Sequence, residues 1–160
     1  MRIDYRRVFP EAMRAMGGLE EAVHASSLEP ELLELVKMRA SQLNGCAYCL
    51  DMHSKDARAR GESEQRLYVL DAWREAPFYS ERERAALAWC EALTLLPQSG
   101  APDDVFEEVS GQFDEEQVVA LTLAIVAING WNRFSVGLRS TVGRYVSPYG
   151  ERAGAASDGG

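Results

Sequence analysis

Cysteine, histidine and basic charge are all scarce in this chain. Three cysteines and two histidines stand among 160 residues, and 17 basic side chains face 25 acidic ones, for a net charge of -8. Three cysteines cannot build the framework of a disulfide-stapled secreted fold. In a reducing compartment, a close pair of them is catalytic or metal-binding rather than structural. The shortage of basic charge excludes the continuous cationic stripe that a phosphate backbone requires, so nucleic acid is not an expected partner. The acidity reads as a solvated surface. The most apolar run, Val118 to Ile128, is shorter than the roughly 20 residues of a membrane span and is closed by Asn129 and Gly130. It reads as a core helix, and no membrane partner is expected. The opening MRIDYRRVFPEAMRAMGG lacks the apolar stretch and small-residue cleavage site of a secretory signal, which points to the cytoplasm. Strand-type alternation and internal repeats are also missing.

What is present reads as one all-α domain over residues 1–148, with a polar, Gly- and Ala-rich tail at 149–160 expected to be disordered. Pro10 opens a helix through Met13, Met16, Leu19 and Val23, weakened in the middle by Gly17-Gly18. A second helix starts at Pro30 and follows the three-and-four spacing of Leu32, Leu35, Val36, Arg39, Ala40 and Leu43 until Asn44-Gly45 turns the chain. The next runs from about Cys46 to Gly61. Ser63 caps a helix carrying Leu67, Tyr68, Leu70 and Trp73, which Pro77 ends. Ser80 with Glu83, and Asp114 with Gln117, are capping boxes. The first opens a helix to about Leu96, before a loop PQSGAP and a short helix over 103–110. The second opens VVALTLAIVAI, apolar on all sides and so central to the fold or to a subunit interface.

The chemistry concentrates in Cys46-Ala-Tyr-Cys49 and the following His53. On a helix, successive residues advance by about 100°, which puts Cys49 and His53 within roughly 60° of Cys46 around the axis. The three share a face, close enough for the imidazole to take a thiol proton and for the two sulfurs to close a disulfide. A helix start also stabilises a thiolate, an effect that by itself favours Cys46 as the more acidic thiol, whereas contact with His53 favours Cys49. Glu34, twelve residues before Cys46 and across the turn, is placed to fold back onto His53, although a lone Glu on a helix is ordinarily a solvated residue. Zinc is the competing reading: Cys46, Cys49 and His53 supply three ligands, and Cys90, His24 or Glu34 would have to supply a fourth. A thioredoxin-type fold is disfavoured because no strand precedes the CxxC.

At these residues the chain resembles the carboxymuconolactone decarboxylase and alkylhydroperoxidase D (AhpD-like) superfamily, in the branch that carries a Glu, a CxxC and a following His. The segment LVKMRASQLNGCAYCLDMHSKDARARGES carries the resemblance, and AINGWNRFSVGLRS resembles a later helix of the family. The resemblance implies an orthogonal, all-helical bundle that assembles as a homotrimer or homohexamer. It also implies a thiol-dependent peroxidase or disulfide reductase serving antioxidant defence, with no cofactor. Cys49 would attack the hydroperoxide or disulfide, Cys46 would resolve the product as a disulfide, His53 would act as base and Glu34 would tune it. A thiol or dithiol, free or on a partner protein, would restore the pair. Members best known as peroxidases place a histidine immediately before the second cysteine. This chain has Tyr48, whose hydroxyl with an unperturbed pKa near 10 cannot shuttle a proton at neutral pH. Tyr48 is carried as a substrate-binding candidate, with packing as its plainer role. The decarboxylases of the superfamily lack the cysteine pair, which makes lactone decarboxylation the lesser expectation, beside a non-catalytic helical oligomer or a zinc-binding domain.

The remaining residues of note read plainly. Cys90 sits on an apolar stripe, where a free cysteine behaves as a small hydrophobe. His24 ends the first long helix. Trp131, Asn132 and Arg133 serve packing and hydrogen bonding. Fifteen of the 17 basic residues are arginine, which suits buried or interfacial ion pairs.

Overall fold

The computed structural model describes residues 1–149, so the expected tail lies outside the described residues except for Tyr149. Among those residues every regular element is helical, as the sequence leads one to expect. The order is α1 (Tyr5–Val8), α2 (Pro10–His24), α3 (Pro30–Leu43), α4 (Ala47–Ala59), α5 (Glu64–Tyr68), a 3-10 turn (Leu70–Ala72), α6 (Glu81–Thr94), α7 (Leu96–Ser99), α8 (Asp103–Gln112) and α9 (Glu115–Gly137). Both capping boxes form, at Ser80/Glu83 and at Asp114/Gln117. Gly17-Gly18 does not interrupt α2.

Three boundaries depart from expectation. The segment after Ser63 is not one helix: α5 stops at Tyr68, which stays exposed, and a 3-10 turn follows, with Leu70 and Trp73 both buried. Part of the PQSGAP loop is the short helix α7, closed by Gly100 in the left-handed conformation. Cys46 is not within the first turn of its helix. It is the N-cap of α4, with φ -88° and ψ 90°.

The helix at the centre of the bundle is α3, buried on every side from Leu32 to Ser41. Such burial is compatible with its charged residues only because each is paired. Lys37 bonds Glu20 at 2.6 Å, and Arg39 bonds Glu91 at 2.7 Å and also Asp71. Against α3 pack α4, α6 and α9. Helix α9 continues past the apolar run through Trp131, Phe134 and Val136, as the sequence pattern allowed, and ends at Gly137. At 23 residues, with a window of mean hydropathy 1.3, it is by length and composition able to cross a membrane. Here Leu121, Ala124, Ile125 and Ile128 pack into the core, while Val119 and Val126 remain on the outside.

The turn between α3 and α4 is closed at both ends. Gly45, at φ +62°, donates to Gln42 O and Cys46 donates to Ser41 O, the paired bonds of a Schellman cap that a left-handed glycine permits. Asn44 then bonds Asn129 (3.0 Å) and Asn132 (2.9 Å) of α9, and Asn132 donates to Ser41 Oγ at 3.1 Å. Asn132 thus has the inter-helix bonding role expected of it. Through this network the start of α4 is pinned to two other helices.

Candidate active site

The pinned turn delivers Cys46 to the mouth of α4, where its Sγ accepts the Cys49 N–H at 3.3 Å. The two cysteines are joined as a disulfide, with Cα atoms 5.3 Å apart. Both are buried. His53 follows Cys49 by one turn of α4 and is buried too. Its Nδ1 lies 2.8 Å from Oε2 of Glu34, which reaches it from α3. The structure therefore brings together all four residues singled out in the sequence: the cysteines and His53 on one stretch of chain, and Glu34 behind the histidine.

Burial opposes ionisation of Glu34, but the hydrogen bond with His53 and the charges of His53, Lys37 and Arg60 outweigh it. They hold its carboxyl below the usual glutamate range. An ionised carboxylate only accepts, so Nδ1 of His53 carries the proton and donates, which leaves Nε2 as the nitrogen free to serve a thiol.

Sequence reasoning missed the surroundings of this pair. Asp56, also buried, brings a carboxylate to the same cluster: donor atoms of Glu34, His53 and Asp56 all lie within 4.8 Å of one another. Tyr145 donates its hydroxyl to both Asp56 oxygens, at 3.0 and 2.9 Å. Burial and the bond to Asp56 push that phenol well above its ordinary pKa. Lys55 donates to Tyr145 O, and Gly143 donates to Asp51, so residues 143–145 form a strap across α4. Arg60 sits with Nε 3.8 Å from Glu34 and its guanidinium 3.8 Å from the centre of the Tyr149 ring. Spacing within α4 gave no reason to look 89 residues away for a partner to Asp56. The only sequence signal was an aspartate three residues beyond His53 on the same helix.

A cleft of about 160 Å³ opens beside Cys46, lined also by Tyr48, Ser135, Val136, Arg139 and Ser140. Tyr48 thus borders open space next to the cysteine pair. Cys49 does not line this cleft. Of the three fourth ligands weighed for zinc, Glu34 is the one that meets His53. Cys46 and Cys49 hold each other, His24 is exposed at the end of α2, and Cys90 is enclosed on α6 against Val36 O at 3.4 Å. Burial pushes the Cys90 thiol up to about 12, the inert state expected of it.

Comparison with known proteins agrees with this geometry. The model of the carboxymuconolactone decarboxylase family matches residues 10–92. YdfG of Bacillus subtilis, itself uncharacterised, is 47% identical over 137 residues, which cover 86% of this chain and 93% of YdfG. The crystal structure of ATU0492 from Agrobacterium tumefaciens superposes with a TM-score of 0.86 at 47% identity, covering 90% of this chain and 99% of that one. ATU0492 is described as a protein of unknown function and a candidate antioxidant defence protein, AhpD. The debrominase Bmp8 superposes with a TM-score of 0.76 at 26% identity, covering 84% of this chain and 73% of its own. With an all-α AhpD-like fold and a bonded Cys46–Cys49 pair, this chain belongs to the carboxymuconolactone decarboxylase family, in its AhpD-like, CxxC-bearing branch.

Proposed function

We propose that the protein is a thiol-dependent oxidoreductase that reduces a hydroperoxide or exchanges with a disulfide, and that the Cys46–Cys49 bond is the oxidised state of its cycle. The observation that carries this reading is the buried His53–Glu34 hydrogen bond one helical turn from Cys49. A histidine whose Nδ1 is committed to a carboxylate presents a basic Nε2, and a cysteine one turn earlier is the group positioned to use it.

In the oxidative half, Nε2 takes the Cys49 proton and the thiolate attacks the terminal oxygen of ROOH. The O–O bond breaks, ROH leaves with the proton returned by the imidazolium, and Cys49 becomes a sulfenic acid. The Cys46 thiol then attacks that sulfur, water leaves, and the disulfide forms. With a disulfide substrate, two successive exchanges give the same protein disulfide and two substrate thiols. In the reductive half, an external thiolate enters by the cleft and attacks Cys46, the sulfur that lines it, and Cys49 departs as the thiolate. A dithiol, free or on a partner protein, completes the reduction. Glu34 stabilises the imidazolium, and Tyr48 borders the path of the incoming group. Assembly as a homotrimer or homohexamer in the cytoplasm completes the proposal.

The test is dithiol-driven consumption of a hydroperoxide and of a small disulfide by wild type, Cys49→Ser and Cys46→Ser. Loss of turnover in both variants, with a mixed disulfide trapped on Cys46 in Cys49→Ser, is the expected result. Undiminished turnover in Cys49→Ser sinks the mechanism.

A further inference from the structure

The cleft beside Cys46 presents hydrogen-bond donors and no carboxylate, on a chain whose net charge is -8. Its floor is the start of α4, a helix of 13 residues. There the Ala47 and Tyr48 N–H groups have no acceptor among the described residues, because the first N–H to find one is that of Cys49, on Cys46 Sγ. One wall is the end of α9, where Ser135 is only 6% exposed, lines the cleft, and makes no side-chain hydrogen bond among the described residues. The Ser135 hydroxyl, on a residue so little exposed, is left free to bond a ligand in the cleft. The rim carries Arg139, held at φ +58°, in the left-handed region that a non-glycine residue seldom adopts. Arg139 has no acidic partner among the described residues, so its charge is free to meet an anion at the rim. A second hollow shares Val136 with the cleft and is lined by Arg133, which among the described residues bonds only to Asn129.

We infer that this cleft is an anion subsite, and that the substrate or reductant meeting Cys46 is a small molecule bearing a carboxylate. The carboxylate sits between Arg139, the Ser135 hydroxyl and the first-turn N–H groups of α4. The inference deepens the thiol-exchange reading and rests on it for the identity of the reaction. The subsite itself is a separate physical fact about Cys46.

Alkylation of Cys46 in the reduced Cys49→Ser protein tests it without requiring turnover. The rates for iodoacetate, an anion, and iodoacetamide, its neutral counterpart, are measured by mass spectrometry of the Cys46 peptide. The iodoacetate-to-iodoacetamide ratio is expected to exceed that of glutathione in the same buffer. It should fall by about three- to tenfold on Arg139→Gln, survive Arg139→Lys, decline on Ser135→Ala and weaken with added salt. Arg139 is exposed, so its replacement leaves the fold intact. A ratio unchanged by Arg139→Gln, or no higher than that of glutathione, overturns the subsite. In a parallel arm, reduced wild type is treated with bis(2-hydroxyethyl) disulfide, which is neutral. If no Cys46–Cys49 bond forms, the exchange reading has failed, whatever the alkylation ratio shows.

Discussion

His53 Nδ1 and Glu34 Oε2 meet at 2.8 Å inside the bundle, each on a different helix and each almost fully withdrawn from water. In such surroundings the charge of Glu34 does more for an imidazolium than a neutral hydrogen-bond acceptor could. Glu34→Gln keeps the shape and an acceptor but removes the charge. Reactivity of Cys49 at neutral pH should then fall by about tenfold for each pKa unit the thiol rises. The pH profile of Cys49 alkylation in the Cys46→Ser background measures this. A profile that Glu34→Gln leaves in place denies the carboxylate its role.

The same pair sets an acid limit on stability. The Glu34 carboxyl is held below its ordinary range in the folded protein, so the unfolded chain binds its proton more readily. The stabilisation is therefore complete above the unfolded value of about 4.3 and is lost as pH falls through the lower, folded value. Urea midpoints from neutral to acid pH should show the gap between wild type and Glu34→Gln narrowing below about pH 4.3. A gap that is constant with pH contradicts the assignment.

Tyr145 and Asp56 predict a stability effect from a residue far along the chain from any cysteine, Tyr145. Tyr145→Phe leaves the buried Asp56 without its donor, at a cost of roughly 1 to 3 kcal/mol. Thermal unfolding should shift down by several degrees. The double variant Tyr145→Phe, Asp56→Asn should lose less than the sum of the two single changes, since each removes the same interaction. Strict additivity would mean the strap is not anchored there.

Cys90 should be silent. In the oxidised native protein a thiol reagent should find no reactive group, and one per chain should appear only on denaturation, because the Cys90 thiol is buried and raised to about 12. Rapid native labelling that Cys90→Ala abolishes would show the core opening at α6.

Much of this arrangement is local and was legible in the sequence. The capping boxes at Ser80 and Asp114, the proline starts at Pro10 and Pro30 and the Asn44-Gly45 turn each depend on residues within one turn of one another. Placing Cys46, Cys49 and His53 together needed only the helix period, whereas the turn alone left Glu34 an ordinary helix residue and the family resemblance singled it out. What escaped depends on distant chain. Asp56 is satisfied by Tyr145, Arg60 stacks on Tyr149, and Ser135 and Arg139 reach the cleft from the end of α9 and just beyond it. The full burial of α3 was also hidden, because Lys37 and Arg39 are enclosed only where Glu20 and Glu91, from other helices, pair with them. The break after Tyr68 was hidden too, because the spacing of Leu67, Leu70 and Trp73 is equally that of one continuous helix face.

Intact mass of the reduced protein after one equivalent of hydroperoxide tests the central claim most directly. The account predicts loss of two hydrogens in wild type, through a Cys46–Cys49 bond, and none in Cys46→Ser or Cys49→Ser. It also predicts that a trapped sulfenic acid, one oxygen heavier, appears on Cys49 in Cys46→Ser and forms more slowly when Glu34 is changed to Gln. A wild-type mass that peroxide leaves unaltered, or a sulfenic acid that forms as fast without the Glu34 charge as with it, would contradict the account.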